Sequence, residues 1–295
     1  MKKFFALAMA LVMTMSLAAC GSKEETPSAP AASAPAASAP AASAPAEEGI
    51  TTITPGKLTV ATSPDFAPYE FYAIDENGNP QLAGFDMALA QYIADYLGLE
   101  LEVIPMDFDG TILELQNKNV DLGMAGYSPD PDRADAMDFS DIYISGGQSF
   151  VCLDSNKDLF PDLASANKAD LTVGAQIGSI QADLAHEHTP DADVIEMAKV
   201  TDIIAELITG KMDGAFIETM VAESYEKNYP ELCVVLEVPY DAEGSVVGVS
   251  KGNEALLAGV NEAIAAALAD GSMADFVATA NEQASGNIHE GLLDG

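Results

Sequence analysis

Residues 117–145 read NKNVDLGMAGYSPDPDRADAMDFSDIYIS, and the order of residue types in this stretch decides how the rest of the chain is read. Val120 to Ala125 is an apolar run of strand length. It stops at Gly126-Tyr127-Ser128, and a helix start follows. Asp130 suits an N-cap, Pro131 the first helical position, and Asp132 the positive end of a helix dipole. Arg133 then falls in the first turn, beside backbone N–H groups with no partner inside the helix. A guanidinium and free amides at one strand-to-helix corner make a site for a small carboxylate. Taken alone, Arg133 reads more readily as a surface arginine paired with Asp130, Asp135 or Asp138.

Upstream, Lys57 to Thr62 (KLTVAT) reads as a first strand that ends in the turn Ser63-Pro64-Asp65-Phe66-Ala67-Pro68. Asp75 to Pro80 (DENGNP) carries the Asn-Gly signal of a tight turn. From Asp86 to Leu97, apolar residues recur close to helical spacing, and Gly98 is the stop. Leu99–Pro105 is a second strand, and Thr111–Gln116 belongs to a second helix. Strand and helix in alternation make an α/β chain, for which a parallel sheet is the usual arrangement. Ligands in such sheets sit at the carboxyl ends of strands, and Phe66, Phe108 and Ser128 all lie just past strand candidates. Ser149 begins a second α/β unit. Its expected strands are Ser149–Leu153, Leu171–Ala175, Val194–Met197, Gly214–Glu218 and Leu232–Val238, with a helix over Thr201–Thr209. Ser245–Ser250 then leads into a helix over Asn253–Ala269.

The series K-L-T-V-A-T-S-P-D-F-A-P-Y-E-F, G-F-D-M-A-L-A, A-G-x-S, D-P-D-R and M-D-F-S-D-x-Y resembles the family 3 extracytoplasmic solute-binding proteins, the polar amino-acid group that serves ABC importers. The resemblance runs from about Lys57 to about Asn281. It implies a two-lobed periplasmic-binding-protein fold of type II, each lobe a mostly parallel sheet flanked by helices. A hinge of two crossovers would lie near Ile144–Gly147 and Tyr240–Ser245. The domains expected are lobe 1 over 55–147, lobe 2 over 148–243, a return to lobe 1 over 244–283 and a flexible tail over 284–295. By resemblance, Arg133 clamps the carboxylate of a free amino acid, with the Ser128 hydroxyl and N–H groups near Ser128 and Ser179. The Ala125-Gly126 corner offers a carbonyl to the ammonium, and Glu218 stands where bacterial relatives usually carry Asp. Phe66 and Phe108 flank the ligand side chain or are ordinary core aromatics. Ser63 departs from the Asp common in its turn, and Gln176 and Ile217 are second-lobe neighbours.

The ends of the chain carry other signals. Lys2 and Lys3, the apolar Phe4–Met13 and Leu17-Ala18-Ala19-Cys20 describe a secretory signal over 1–19, too short to be a spanning helix of the mature protein. Leu-Ala-Ala-Cys resembles a lipobox, so Cys20 is the expected lipidation site and membrane anchor. Residues 20–54 form a tether whose S-A-P-A-A repeats cannot bury a core. A formal charge of −35 argues against nucleic acid or an anionic membrane surface as a partner. Cys152 and Cys233 could pair or stay as buried thiols.

Catalytic signals are thin. Gly248-Val249-Ser250-Lys251-Gly252 spells G-x-S-x-G, yet the only later histidine is His289 in the expected tail. His186-Glu187-His188 reads as surface, with no third metal ligand evident. The expectation is therefore not an enzyme and no cofactor or metal. It is a monomeric, lipid-anchored, extracytoplasmic receptor for a free amino acid, working with an ABC permease. A same-fold lyase and a sensory domain with a separate partner are the alternatives. Arg133 and Glu218 are consumed by the ligand's own charges, while Ser63 and Gln176 stand where a further acid or base would serve a charged side chain. The expected ligand is accordingly neutral, glutamine or another polar uncharged amino acid first, with Asp65 the one residue able to serve a cation.

Overall fold

The computed structural model describes residues 49–75, 77–240 and 244–285. The expected signal segment, Cys20 and nearly all of the tether, together with residues 286–295, lie outside the described residues. β1 (Lys57–Thr62) forms where expected, and five of its six residues are buried because helices and neighbouring strands cover both its faces. The chain then makes a feature the sequence reading missed. Short strands β2 (Asp65–Phe66), β3 (Glu70–Ile74) and β4 (Pro80–Ala83) pair antiparallel as a small separate sheet. The turn between β3 and β4 closes on Asp75, whose Oδ1 accepts the N–H groups of Asn77 and Asn79, each at 2.8 Å.

α1 (Phe85–Leu97) buries Met87, Leu89, Ala90, Ile93 and Leu97 and ends at Gly98 in the left-handed conformation. β5 (Glu100–Pro105), α2 (Phe108–Gln116) and β6 (Leu122–Gly123) follow. The helix expected to open at Asp130 is a correction. Only a single 3-10 turn, Pro131–Arg133, forms before β7 (Met137–Phe139). The capping survives, since the Asp130 side chain accepts from Asp132 N at 2.9 Å. The turn cannot propagate because Met137–Phe139 must be extended to pair with β13 (Gly248–Ser250). With so few aligned peptides there is no macrodipole to draw on.

The second lobe contains β8 (Gln148–Leu153), β9 (Thr172–Gln176), α3 (Ile180–His188), β10 (Asp193–Met197), α4 (Val200–Ile208), β11 (Gly214–Glu218), α5 (Thr219–Asn228) and β12 (Leu232–Val238). After β13 the chain closes with α6 (Glu254–Asp270) and α7 (Ser272–Ala284), both packed on α1. The first sheet has the order β5-β1-β6-β13-β7 and the second β10-β9-β11-β8-β12. In each sheet four strands run one way and one runs against them, β13 in the first and β8 in the second. Each of these two follows a crossing, where the chain enters a sheet against its prevailing direction. This is the two-lobed type II plan.

The two crossings touch. Ile144 and Ser245 form an isolated antiparallel bridge; Tyr143 N donates to Ser245 O at 3.0 Å and Ser245 N to Ile144 O at 2.8 Å. Gly244 makes that approach possible, since a Cβ there would lie 2.7 Å from the Ile144 carbonyl oxygen at φ +105°. In the first lobe, Leu58, Val60 and Leu122 pack with Leu89 and Ile93 of α1 and Val260 and Ile264 of α6. In the second, Phe150 meets Phe160 and Phe216 edge-on at 5.1 and 5.3 Å.

One polar group ties the first sheet together. The buried Asp121 carboxylate accepts from Ile53 N (2.8 Å), Thr59 N (2.9 Å) and Thr59 Oγ1 (2.7 Å). Asp121→Ala leaves those donors without an acceptor and should destabilise the fold by roughly 3 kcal/mol. Urea denaturation checks it: a lower midpoint at unchanged slope is expected, and an unchanged midpoint would show that water replaces the carboxylate at no cost.

Candidate ligand-binding cleft

The cleft is lined from both lobes at the carboxyl ends of parallel strands. Phe66 follows β1, Phe108 opens α2 after β5, and Ser128 follows β6. Across from them, Gln176 ends β9, Ser179 caps α3 and Glu218 ends β11. All of these residues are buried.

Arg133 is 8% exposed, so it is not a surface arginine. Its Nε stands 3.7 Å from Asp130 Oδ2, and its guanidinium lies 5.6 Å from the centroid of the Phe108 ring. One terminal nitrogen donates across the cleft to the Gly178 carbonyl at 3.0 Å. Phe108 also meets Tyr127 edge-on at 5.6 Å. The structure thus makes Phe108 a platform for the arginine, a role the sequence did not suggest.

Asp65, absent from the expected site residues, is the hub on the other side. Its Oδ2 accepts from Val200 N at the start of α4 (2.6 Å) and from Gln176 Nε2 (3.2 Å). Ser63 Oγ donates to its Oδ1 at 2.8 Å, and Tyr225 Oη donates to its backbone carbonyl at 3.3 Å. Ser63 and Gln176, read as free polar tips, are both directed at this carboxylate. Burial raises the Asp65 pKa to about 6, partly offset by the Ser63 and Val200 hydrogen bonds.

Glu218 is the N-cap of α5, a helix the sequence reading did not place; its Oε2 accepts from Val221 N at 2.9 Å. Oε1 has no partner. It lies against the hinge, where a Cβ on Gly146 would sit 2.7 Å away, with Tyr69 Oη next to the same point. Burial raises the Glu218 pKa to about 7, with the Val221 N–H and the nearby Tyr69 hydroxyl pulling the other way. Among the described residues Glu218 and Arg133 form no ion pair with each other.

Ser179 differs from expectation. Its N–H donates to Gln176 O at 3.3 Å and its hydroxyl caps α3 through Ala182 N, so neither is free for a ligand. Gly126 adopts φ +59°, and a Cβ there would lie 2.7 Å from the Phe66 ring, so only glycine lets the aromatic wall close on this corner. Its N–H donates to Asp86 Oδ2 at 3.1 Å. Ala125, two residues past β6, and Ile217 within β11 are both buried. His186 pairs on the surface with Glu196 at 2.9 Å. Gly248 is explained by packing, since a Cβ would meet Met137 Sδ at 2.7 Å.

Behind Gly126 lies an acid pair no motif had flagged. Asp86 accepts from Tyr143 Oη at 2.6 Å, and burial raises its pKa to about 6. Both oxygens of the buried Glu70 lack a donor. Burial, then the neighbouring charges of Asp86 and Asp65, push Glu70 well above the carboxylate range. A protonated Glu70 beside an ionised Asp86 satisfies both observations. The signal was present in the P-Y-E-F and G-F-D motifs, each of which carries an acid inside an apolar context.

Two α/β lobes around such a cleft, joined by paired crossings, define a solute-binding receptor. The family described as bacterial extracellular solute-binding proteins, family 3, matches residues 58–280, and the chain belongs to it. The arginine-binding extracellular protein ArtP of Bacillus subtilis is 31% identical over 259 residues, covering 86% of this chain and 88% of ArtP. The L-arginine-bound substrate-binding protein AbpA of Streptococcus pneumoniae superposes with a TM-score of 0.75 at 29% identity, covering 78% of this chain and 96% of that one. An ancestral arginine-binding protein bound to glutamine gives 0.69 at 32%, covering 77% and 98%.

Asp65, Glu70, Asp86 and Glu218 all have pKa values raised by folding. For such acids the folded state holds the proton more tightly, so stability falls as pH rises from the unfolded value toward the folded one. For Glu218 that window is 4.5 to about 7. Ligand-free protein should therefore become more stable between about pH 7.5 and pH 5, and Glu218→Gln should flatten that rise by at most roughly 3 kcal/mol. Urea midpoints across the pH range test this. A profile identical in the variant would show that Glu218 ionises as an ordinary carboxylate.

Proposed function

We propose that the protein is a lipid-anchored extracytoplasmic receptor that captures one free amino acid between closing lobes and delivers it to an ABC permease. One observation carries this reading. Arg133 and Glu218 are buried charges of opposite sign, brought by different lobes and not paired with each other. A free amino acid supplies a carboxylate for the first and an ammonium for the second. Ser128 assists at the carboxylate, the Ala125-Gly126 corner at the ammonium, and Phe66 walls the side chain. Closing the lobes excludes water and strengthens both charge contacts.

For the side chain, a neutral polar ligand such as glutamine is favoured over an anionic one by the absence of a second buried base beside Arg133 among the described residues. A cationic ligand has a specific observation behind it as well. Asp65 and Glu70 are buried near this wall and form no ion pair among the described residues. The arginine-binding names of the relatives support the same reading. The lyase alternative has Glu218 behind it, since an acid titrating near neutrality can transfer protons.

Calorimetry of the tetherless protein against the common amino acids, with mass analysis of the recovered ligand, is the test. One amino acid should bind, be recovered unchanged and compact the protein in small-angle scattering. Arg133→Lys should lose at least ~2 kcal/mol of affinity, because an ammonium cannot hold a carboxylate bidentately. Near-unchanged affinity in that variant, or no ligand at all, refutes the reading. The largest heat for lysine or arginine selects the cationic side chain, and a dehydrated product selects the lyase. The anchor has its own check. Mass spectrometry of the native N-terminal peptide should show acylated Cys20, and an unmodified cysteine or a different cleavage site removes the anchor.

A further inference from the structure

Of the chain's three cysteines, Cys20 lies outside the described residues, and the other two face each other. Cys152 on β8 and Cys233 on β12 are direct partners in an antiparallel register, ahead of the irregularity between Val234 and Leu236. We infer that Cys152 and Cys233 form a cross-strand disulfide once the protein is outside the cytoplasm, a covalent staple in the second lobe. Nothing in the amino-acid-receptor reading requires it.

Register is the first argument. Directly opposed residues of an antiparallel pair have Cα atoms about 4.5–5.5 Å apart and side chains on one face of the sheet. A disulfide spans Cα separations of about 4.4–6.8 Å, so the register places the two residues within its reach. Little holds the thiols back. The Cys152 thiol lies 3.2 Å from its neighbour's carbonyl, that of Leu153, and the Cys233 thiol 3.8 Å from that of Val234, both weak interactions. Location is the second argument, since extracytoplasmic proteins meet oxidising conditions in which such pairs form and persist.

Exposure orders the chemistry. Cys152 is buried against Phe150 and Phe160, whereas Cys233 is part-exposed. Burial pushes the Cys152 thiol up to about 12 and raises that of Cys233, so spontaneous oxidation is slow. With a low-molecular-weight disulfide as oxidant, the Cys233 thiolate attacks one of its sulfurs and expels one small thiolate. The Cys152 thiolate then attacks Cys233 Sγ and expels the second. Two protons leave the protein, its two sulfurs are oxidised together by two electrons, and the small disulfide is reduced to two thiols.

The test uses full-length protein from its native cells, alkylated before lysis and digested without reductant. The expected product is one linked peptide pair carrying Cys152 and Cys233, with a denaturation midpoint that drops on reduction while ligand affinity is unchanged. If both cysteines are found alkylated, the folded protein is incubated with excess oxidised glutathione and digested again, and the linked pair should then appear. Cys152→Ser should instead accumulate glutathione on Cys233, the intermediate that the native protein resolves. Two singly alkylated peptides after that incubation, or native protein stalled with glutathione on Cys233, overturns the inference.

Discussion

The Asp65 carboxylate is the interaction on which the relation between the lobes depends. It belongs to the first lobe, yet two of its acceptor contacts run to the second, at Val200 N and Gln176 Nε2. Burying a carboxylate without a cation costs several kcal/mol, and each hydrogen bond to a charged group returns about 1.5–3. Ser63 supplies a third bond from within the same loop. The balance is close, as a pKa of about 6 for Asp65 shows. A contact so nearly neutral in free energy joins the two lobes without locking them together.

The same economy of cations runs through the cleft. Among the described residues Arg133 is the one buried base, set against Asp65, Glu70, Asp86 and Glu218 as buried acids of the same region. Not all four can be ionised together at close range, and the structure separates their roles by their donors. Asp86 holds a tyrosine hydroxyl and a backbone N–H; Glu218 holds a helix N-terminus; Glu70 has no donor, and burial pushes it well above the usual carboxylate value. The lobe carrying the most buried acid also presents the guanidinium, which keeps the local field from becoming uniformly negative.

Much of this was legible in the sequence, for a physical reason. β1, β11 and β12 were placed to the residue because their apolar runs end abruptly at turn or capping residues. α1 was found because Gly98 is an unambiguous stop. What failed shares a different trait. The helix after Asp130 had every local start signal, yet a long-range pairing between β7 and β13 cut it to one turn. α3 and α5 went unplaced because polar residues interrupt their apolar faces. Arg133 and Glu218 could be named from motifs, whereas Asp65 as a hub could not, since its partners Gln176 and Val200 lie 111 and 135 residues away in the chain.

The paired crossings at Ile144 and Ser245 have a consequence for how the molecule is made. Everything between them is a complete sheet with its own helices, while the first sheet has β13 seated between β6 and β7. A ribosome therefore delivers the whole second lobe before it delivers the strand that completes the first. Until residues 248–250 and the two helices after them emerge, the first lobe has an open gap beside β6 and an uncovered face on α1. The lobe that begins first is finished last, and β13 and the final helices are the pieces that close its sheet and cover α1.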